Sequence, residues 1–278
     1  MAVPLNQVFF PATFQELFAA WSRFPNAVPF AGGTGLIRGQ GKQSLELPRN
    51  ILSLDKLEDL RRITRTERYL EIGAMVRLNE IIRLGKIVPE VLTRCLEHIA
   101  GPQIRNIATI GGNICYPARR LDLSVPLVAL DAHFELRNGQ NSRWISASRF
   151  CSISGPLAIN PQELLTRIRI PLEHWNYSVF KKFEGASTAD SGGVIVFIIK
   201  NQKNTLTDIR IVFGAERILR DKNSETFLIG NQLPLSRKET EDFVEQWKNY
   251  LAALDSPEVI IRSEILNFIE SQILFIAE

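Results

Sequence analysis

Two glycine-rich segments carry the residue types best suited to holding an anion: Ala31-Gly32-Gly33-Thr34-Gly35 and Ala108-Thr109-Ile110-Gly111-Gly112-Asn113. Glycine admits positive φ and lets backbone N–H groups approach a bulky anion, and each segment adds a threonine hydroxyl. Each follows an apolar approach, Val28-Pro29-Phe30 in the first and Ile104 to Ile107 in the second. Two loops of one chemistry, far apart in the chain, fit closure on a single diphosphate and hence a dinucleotide. A Rossmann unit explains less. Gly33-Thr34-Gly35 supplies the first two glycines of G-x-G-x-x-G and Asp55 follows downstream, but the third glycine position falls on Arg38. Gly39 comes one residue late, and the run through Gly41 is polar where a helix should pack.

Elements must position these loops. Thr13 to Phe24 reads as an amphipathic helix, with Thr13 and Glu16 as a capping box and Phe14, Leu17, Phe18 and Trp21 as its apolar stripe. Val28–Phe30 is a strand entering the first glycine turn, and Leu45–Leu54 a strand with its connector. A helical turn at Lys56–Leu60 precedes a hairpin of Ile63–Thr66 and Tyr69–Ile72. Helices follow at Leu78–Leu84, Glu90–Ile99 and, beyond the second glycine motif, Leu121–Leu130. Asn138-Gly139 between Phe134–Arg137 and Ser142–Ile145 is a strong hairpin signal. A strand from Glu163 runs through Ile170 to Pro171. After that, Tyr177–Phe183, Gly193–Lys200 and Ile209–Ala215 read as antiparallel strands, closed by helices over Arg237–Leu254 and Pro257–Ile276. Strands followed by helices indicate an α+β module, with a boundary near Pro171–Trp175.

Composition excludes several classes. With 278 residues, 45% hydrophobic and 23% charged, the chain has the makeup of an ordinary globular protein with room for two or three modules. The net charge is only +3 and the basic residues are scattered, apart from short clusters such as Arg61-Arg62 and Arg119-Arg120, so a nucleic-acid partner is not expected. No apolar run approaches the roughly 18 residues of a membrane span, and residues 1–6 lack a signal-peptide pattern, so a cytoplasmic location is expected. Cys95, Cys115 and Cys151 match no zinc or iron–sulfur spacing, and His98, His133 and His174 are isolated. No resident metal is expected. Cys115 stands apart from the other thiols because it lies within the second glycine motif.

The second motif carries a resemblance. Gln103-Ile104-Arg105-Asn106-Ile107-Ala108-Thr109-Ile110-Gly111-Gly112-Asn113-Ile114, with Leu121-Asp122-Leu123 and Leu127-Val128-Ala129-Leu130-Asp131-Ala132, resembles the FAD-binding (medium) subunit of the molybdenum hydroxylases, the xanthine dehydrogenase and carbon monoxide dehydrogenase group. Ala31-Gly32-Gly33-Thr34 is similar to that family's first flavin-contacting turn. Smaller matches are Glu71-Ile72-Gly73-Ala74, the strand from Glu163 to Pro171, Lys182 with Asp190, and Ile211-Val212-Phe213-Gly214. The similarity runs in order from about residue 8 to Arg262.

The resemblance implies a two-subdomain FAD-binding fold of the PCMH-like kind over residues 1–172, with subdomains of about 1–55 and 56–172. A C-terminal domain of a small antiparallel sheet plus helices would follow over 173–278. It implies a non-covalent FAD held by Ala31, Gly32, Gly33, Thr34 and Gly35, and by Thr109, Ile110, Gly111, Gly112, Asn113 and Cys115. Leu165 is a further contact, Asp122 would accept hydrogen bonds from the flavin's sugar-like chain, and Lys182 would stand by the isoalloxazine. No catalytic acid, base or nucleophile is implied. Asp122 could equally cap the Leu123–Leu130 helix, and Lys182 could be a solvated strand residue, with neighbouring Lys181 a rival for its role. The implied function is electron transfer from [2Fe–2S] centres in a partner subunit to NAD⁺ or another acceptor, with molybdopterin in a second partner. The family usually carries an acidic residue where Gly35 stands. Tyr116-Pro117-Ala118-Arg119-Arg120 replaces the usual small residues, and Glu184-Gly185-Ala186-Ser187 lacks the usual arginine. These departures motivate an alternative, a degenerate, cofactor-free structural subunit of such a complex. A self-contained oxidase of the vanillyl-alcohol-oxidase type would need a large substrate domain and often a flavin-linking histidine, neither of which is apparent.

Overall fold

In the computed structural model, which describes residues 7–41, 44–116, 122–151, 157–183, 192–215, 217–253 and 259–277, the chain divides into two compact units, Met1–Leu172 and Glu173–Glu278. Arg119, Arg120, Asp190 and the Glu184 to Ser187 stretch, all singled out in the sequence, lie outside the described residues.

The first unit begins with β1 (Gln7–Phe9), helix α1 (Phe14–Arg23), β2 (Val28–Phe30), helix α2 (Thr34–Gln40) and β3 (Asn50–Ser53). Thr13 caps α1 as expected, its hydroxyl accepting from Glu16 N at 3.2 Å. The reciprocal half of the capping box is different: the Glu16 carboxylate accepts from Ala12 N at 2.8 Å, not from Thr13. Leu17, Phe18 and Trp21 are the buried stripe. The strands form a parallel sheet of order β1-β3-β2, which strands of three and four residues do not announce. A helix also forms where the polar glycine-containing run argued against one, and α2 buries none of its own side chains. The expected strand over Leu45–Leu54 is confined to its last residues.

The rest of the unit is built on a five-stranded antiparallel sheet. Hairpin β4 (Ile63–Arg65) and β5 (Tyr69–Gly73) leads into helices α3 (Leu78–Arg83), α4 (Glu90–Glu97), α5 (Pro102–Arg105), α6 (Ile110–Cys115) and α7 (Ser124–Ala129). Hairpin β6 (His133–Asn138) and β7 (Asn141–Ser146), helix α8 (Ala147–Phe150) and strand β8 (Leu164–Pro171) complete it. The order is β4-β5-β8-β6-β7, so the last strand of this unit is the central one. Gly139, at φ +60°, turns the β6–β7 hairpin as the Asn-Gly signal requires. Leu70, Ile72, Phe134, Leu136, Ile168 and Ile170 alternate onto the buried face, and Phe150 of α8 meets Phe134 edge-on with ring centroids 5.1 Å apart. Helix α7 starts later than the apolar run suggested. Leu123, not Asp122, stands at its N-cap position, and its side chain makes no capping bond.

The second unit pairs β9 (Tyr177–Lys182), β10 (Val194–Gln202), β11 (Thr205–Gly214) and β12 (Ile218–Leu219) antiparallel in the order β12-β11-β10-β9. Helices α9 (Lys222–Leu228), α10 (Arg237–Ala252) and α11 (Val259–Ala277) follow. Phe197, Ile211, Phe213, Phe243, Trp247 and Ile269 form its core. Ser236 and Glu239 make the full capping box at the start of α10. The Glu225 carboxylate is buried, which raises its pKa against the pull of Arg220; it accepts from Arg220 Nε and Ile211 N, each at 2.9 Å. No helix among the described residues is long and apolar enough to cross a membrane.

Candidate functional site

The two glycine loops meet. Gly32 passes so close to the Ile107 carbonyl that a methyl group there would lie well inside contact distance of that oxygen. A methyl on Gly112 would stand 3.7 Å from Ala31 Cβ. Gly33 takes φ +68°, and Phe30 Cζ stands 2.6 Å from where a side chain would begin, so glycine is required there on both counts. The loops form the floor of a cleft of about 550 Å³, walled by Trp21, Phe30, Leu36, Met75, Tyr116 and the Ile159 to Leu165 segment.

Ala31, Gly32, Gly33, Thr34, Gly35, Thr109, Gly111, Gly112, Asn113, Cys115 and Leu165 all line this cleft. Ile110 does not; its side chain is wholly buried in the core. Asp122 is also buried away from the lining, and its carbonyl accepts the Cys95 thiol at 3.3 Å. Lys182 belongs to the second unit, where it pairs with Val194 across the sheet. Its neighbour Lys181 holds its ammonium over the Phe183 and Phe268 rings, 5.0 and 5.3 Å from their centroids.

The loops differ in what they offer. In the first, the N–H groups of Gly32, Gly33, Thr34 and Gly35 make no hydrogen bond within the described protein. In the second, Ile110 N donates to Val76 O at 3.0 Å and Gly111 N to Ala74 O at 2.9 Å. Gly112 N donates to the Thr109 hydroxyl at 3.1 Å, which caps α6. The polar group left over in this loop is a side chain. Asn113 is 9% exposed, lines the cleft, and its Nδ2 has no hydrogen-bond partner among the described residues. A buried amide without a partner costs roughly 1–3 kcal/mol, and a ligand acceptor in the cleft would relieve that cost. Free backbone donors, an unpartnered buried amide and close-packed glycines fit the diphosphate of a dinucleotide. The apolar wall of Trp21, Phe30, Met75, Leu164 and Leu165 suits a planar ring system.

Two further features escaped the sequence reading. Glu163 lines the cleft and is clamped by Arg143, with both guanidinium–carboxylate contacts at 2.7 Å. That pairing, aided by Asn160 N, holds its carboxyl at about 2 against the opposing effect of burial. Only the strand pattern could have pointed to this segment. Gln162, at φ +60°, donates from Nε2 to the Trp21 carbonyl at 3.2 Å and so ties the wall to the end of α1. Cys115 is half-buried; the protein around it, and to a lesser degree Cys151, pushes its thiol up to about 12. Cys115 therefore lines the cleft as a neutral group.

Residues 4–173 match the family described as the FAD binding domain in molybdopterin dehydrogenase. The chain is 30% identical over 243 residues to Xanthine dehydrogenase 2 of Arabidopsis thaliana, covering 79% of this chain but 18% of that protein's length. It is 28% identical over 214 residues to the Glyceraldehyde dehydrogenase medium chain of Sulfolobus acidocaldarius, covering 75% of each. To the Carbon monoxide dehydrogenase medium chain of Hydrogenophaga pseudoflava it is 27% identical over 208 residues, covering 72% of this chain and 71% of that one. Among solved structures, a chain of the carbon monoxide dehydrogenase of Hydrogenophaga pseudoflava aligns with a TM-score of 0.80 at 22% identity, covering 100% of this chain and 98% of that one. A chain of quinoline 2-oxidoreductase from Pseudomonas putida 86 gives 0.79 at 22%, covering 100% and 97%. At such identity the likeness is one of fold.

Proposed function

Because the chain belongs to the family of FAD-binding domains of molybdopterin dehydrogenases, we propose that it is the FAD-carrying electron-transfer subunit of a multi-subunit molybdenum hydroxylase. In this reading it works in the cytoplasm between the [2Fe–2S] centres of one partner subunit and NAD⁺ or another acceptor, with molybdopterin held by a second partner. The observation that carries this reading is the meeting of the two glycine loops beneath one cleft, with the Asn113 amide unpartnered there.

FAD, when bound, supplies the one- and two-electron redox chemistry; the protein supplies position and electrostatics. The N–H groups of Gly32 to Gly35, the Thr34 hydroxyl and Asn113 Nδ2 would hold the diphosphate, with Thr109 framing the second loop. Ala31, Gly112 and Cys115 contribute shape to the lining, and Gly111 lets the second loop press against Ala74. Ile110 acts through the core, anchoring the loop from beneath. Leu165, with Leu164, keeps water from the ring-binding wall. Asp122 and Lys182 enter from the family resemblance, as acceptor for the polyol hydroxyls and as cation near the isoalloxazine. Nothing in the cleft requires an acid–base pair of its own, and Glu163 serves to hold the wall through Arg143.

Absorbance of the purified full chain with and without added FAD tests the proposal. Bands near ~370 and ~450 nm, with FAD released on denaturation, are the expected result. A colourless protein that takes up no FAD would overturn it and leave the cofactor-free structural subunit in its place.

A further inference from the structure

Helix α2 is short, seven residues from Thr34 to Gln40, and none of its side chains is buried. A helix of that length is not stable alone, and helices in proteins ordinarily hold their place through a buried apolar face. Something else must fix α2. At its far end, Gln40 clamps Glu46 through two bonds of 2.7 Å, one to the backbone O and one from the backbone N. Along its length one contact is with Tyr116, the residue that follows α6. A methyl on Gly35 would stand 3.0, 3.1 and 3.2 Å from Tyr116 Cγ, Cδ2 and Cδ1, so the ring lies flat against the bare backbone there. One turn on, a methyl on Gly39 would overlap the Tyr116 hydroxyl, while the rest of the ring stands clear, Cζ being 3.6 Å away. Positions 35 and 39 are stacked on one helix face. Neither glycine has positive φ, so backbone conformation does not demand glycine at either place.

We propose that Tyr116 is a latch: a positioning residue that lies along the Gly35–Gly39 face of α2 and so couples the end of the second glycine motif to the first. The inference rests on the FAD reading for its consequence, and on packing alone for its existence. It accounts for the missing acidic side chain at position 35, whose place the Tyr116 ring fills. It also gives the latch a bearing on the cofactor. Tyr116 itself lines the cleft, as do Thr34, Gly35 and Leu36. A side chain at position 39 displaces the hydroxyl, and the rigid ring moves with it, against the cleft wall.

The test is a set of double-mutant cycles on the full chain, read both as thermal unfolding of FAD-free protein and as FAD affinity by titration. On an exposed helix, glycine to alanine ordinarily stabilises. With Tyr116 in place, Gly39→Ala is expected instead to lower the unfolding temperature and weaken FAD binding about tenfold. In the Tyr116→Phe background, which lacks only the overlapping hydroxyl, Gly39→Ala is expected to raise the unfolding temperature and leave FAD affinity within about twofold of that background. Gly35→Ala meets ring atoms, so Tyr116→Phe should not relieve it, whereas Tyr116→Ala should. This pattern separates a latch from a general loss of packing, which would not distinguish phenylalanine from tyrosine. If Gly39→Ala raises the unfolding temperature equally with tyrosine or phenylalanine at 116, the latch is overturned. If no variant nor the parent binds FAD, the functional reading falls while the unfolding cycle still decides the latch.

Discussion

The two glycine loops look alike in sequence and do opposite jobs in the fold. The Ala31–Gly35 loop leaves its backbone donors unspent among the described residues, and Gly33 turns it with positive φ. The Thr109–Asn113 loop commits its amides to Val76, Ala74 and the Thr109 hydroxyl, and uses glycine so that a helix can press against neighbouring backbone. A methyl on Gly111 would stand 2.7 Å from Ala74 Cβ and 2.8 Å from Ala74 O. One loop presents the main chain; the other anchors itself and presents a side chain, Asn113. A shared glycine motif therefore signals close approach without saying what is approached.

The largest effect is expected where the loops touch. Gly32→Ala sets a methyl group against the Ile107 carbonyl, with backbone on both sides and no flexible tip to yield. It should cost about 3 kcal/mol or more in urea unfolding, and full stability in that variant would show that the loops are not in contact. A smaller and more selective effect is expected at Asn113. Its Nδ2 breaks no protein hydrogen bond when removed, so Asn113→Ala should weaken FAD binding about tenfold while FAD-free stability changes by less than about 1 kcal/mol. The reverse result, with stability lost and affinity kept, would make Asn113 a structural residue and erase the difference between the loops.

The smallest effect concerns the wall that both loops face. Glu163 titrates at about 2 when folded against an ordinary 4.5, so the unfolded chain takes up that proton first. The Arg143 pairing thus stabilises the fold above about pH 4.5 and is lost as pH falls toward about 2. Arg143→Ala should unfold more readily than the parent at neutral pH, with the difference fading through that window in an acid titration. The Arg143 side chain is 43% exposed, and solvent keeps the gain modest. A difference that stays constant down to the lowest pH would assign the effect to packing.

Local signals were legible where one interaction decides the structure. Thr13 before an apolar stripe and Asn138-Gly139 between two alternating runs both carry their own geometry. Helix α2 was not legible because Gly39, Gly41 and the polar run lower its intrinsic preference, and what supports it, Tyr116, lies far along the chain. The parallel sheet was hidden for the same reason: β1, β2 and β3 are too short to show a period, and only their pairing defines them. Of the site, the loops and Leu165 were legible as members of one cleft. The assignment of donors was not, because which amides are free depends on Ala74 and Val76, two residues with no chemical signal. The start of α7 was not legible either: it begins at Ser124 with Leu123, not Asp122, at the N-cap position.

The order β4-β5-β8-β6-β7 has a consequence for how the molecule is made. Both hairpins leave a synthesising ribosome before β8 does, each with an open edge that β8 must later fill on two sides at once. Those edges can pair with other chains in the interval, which makes a nascent polypeptide halted before Leu164 a sticky object. The same strand carries Leu164 and Leu165 into the cleft. Assembly of the sheet and completion of the pocket are thus a single late event, and the cleft waits for the eight residues of β8 near the end of the first unit.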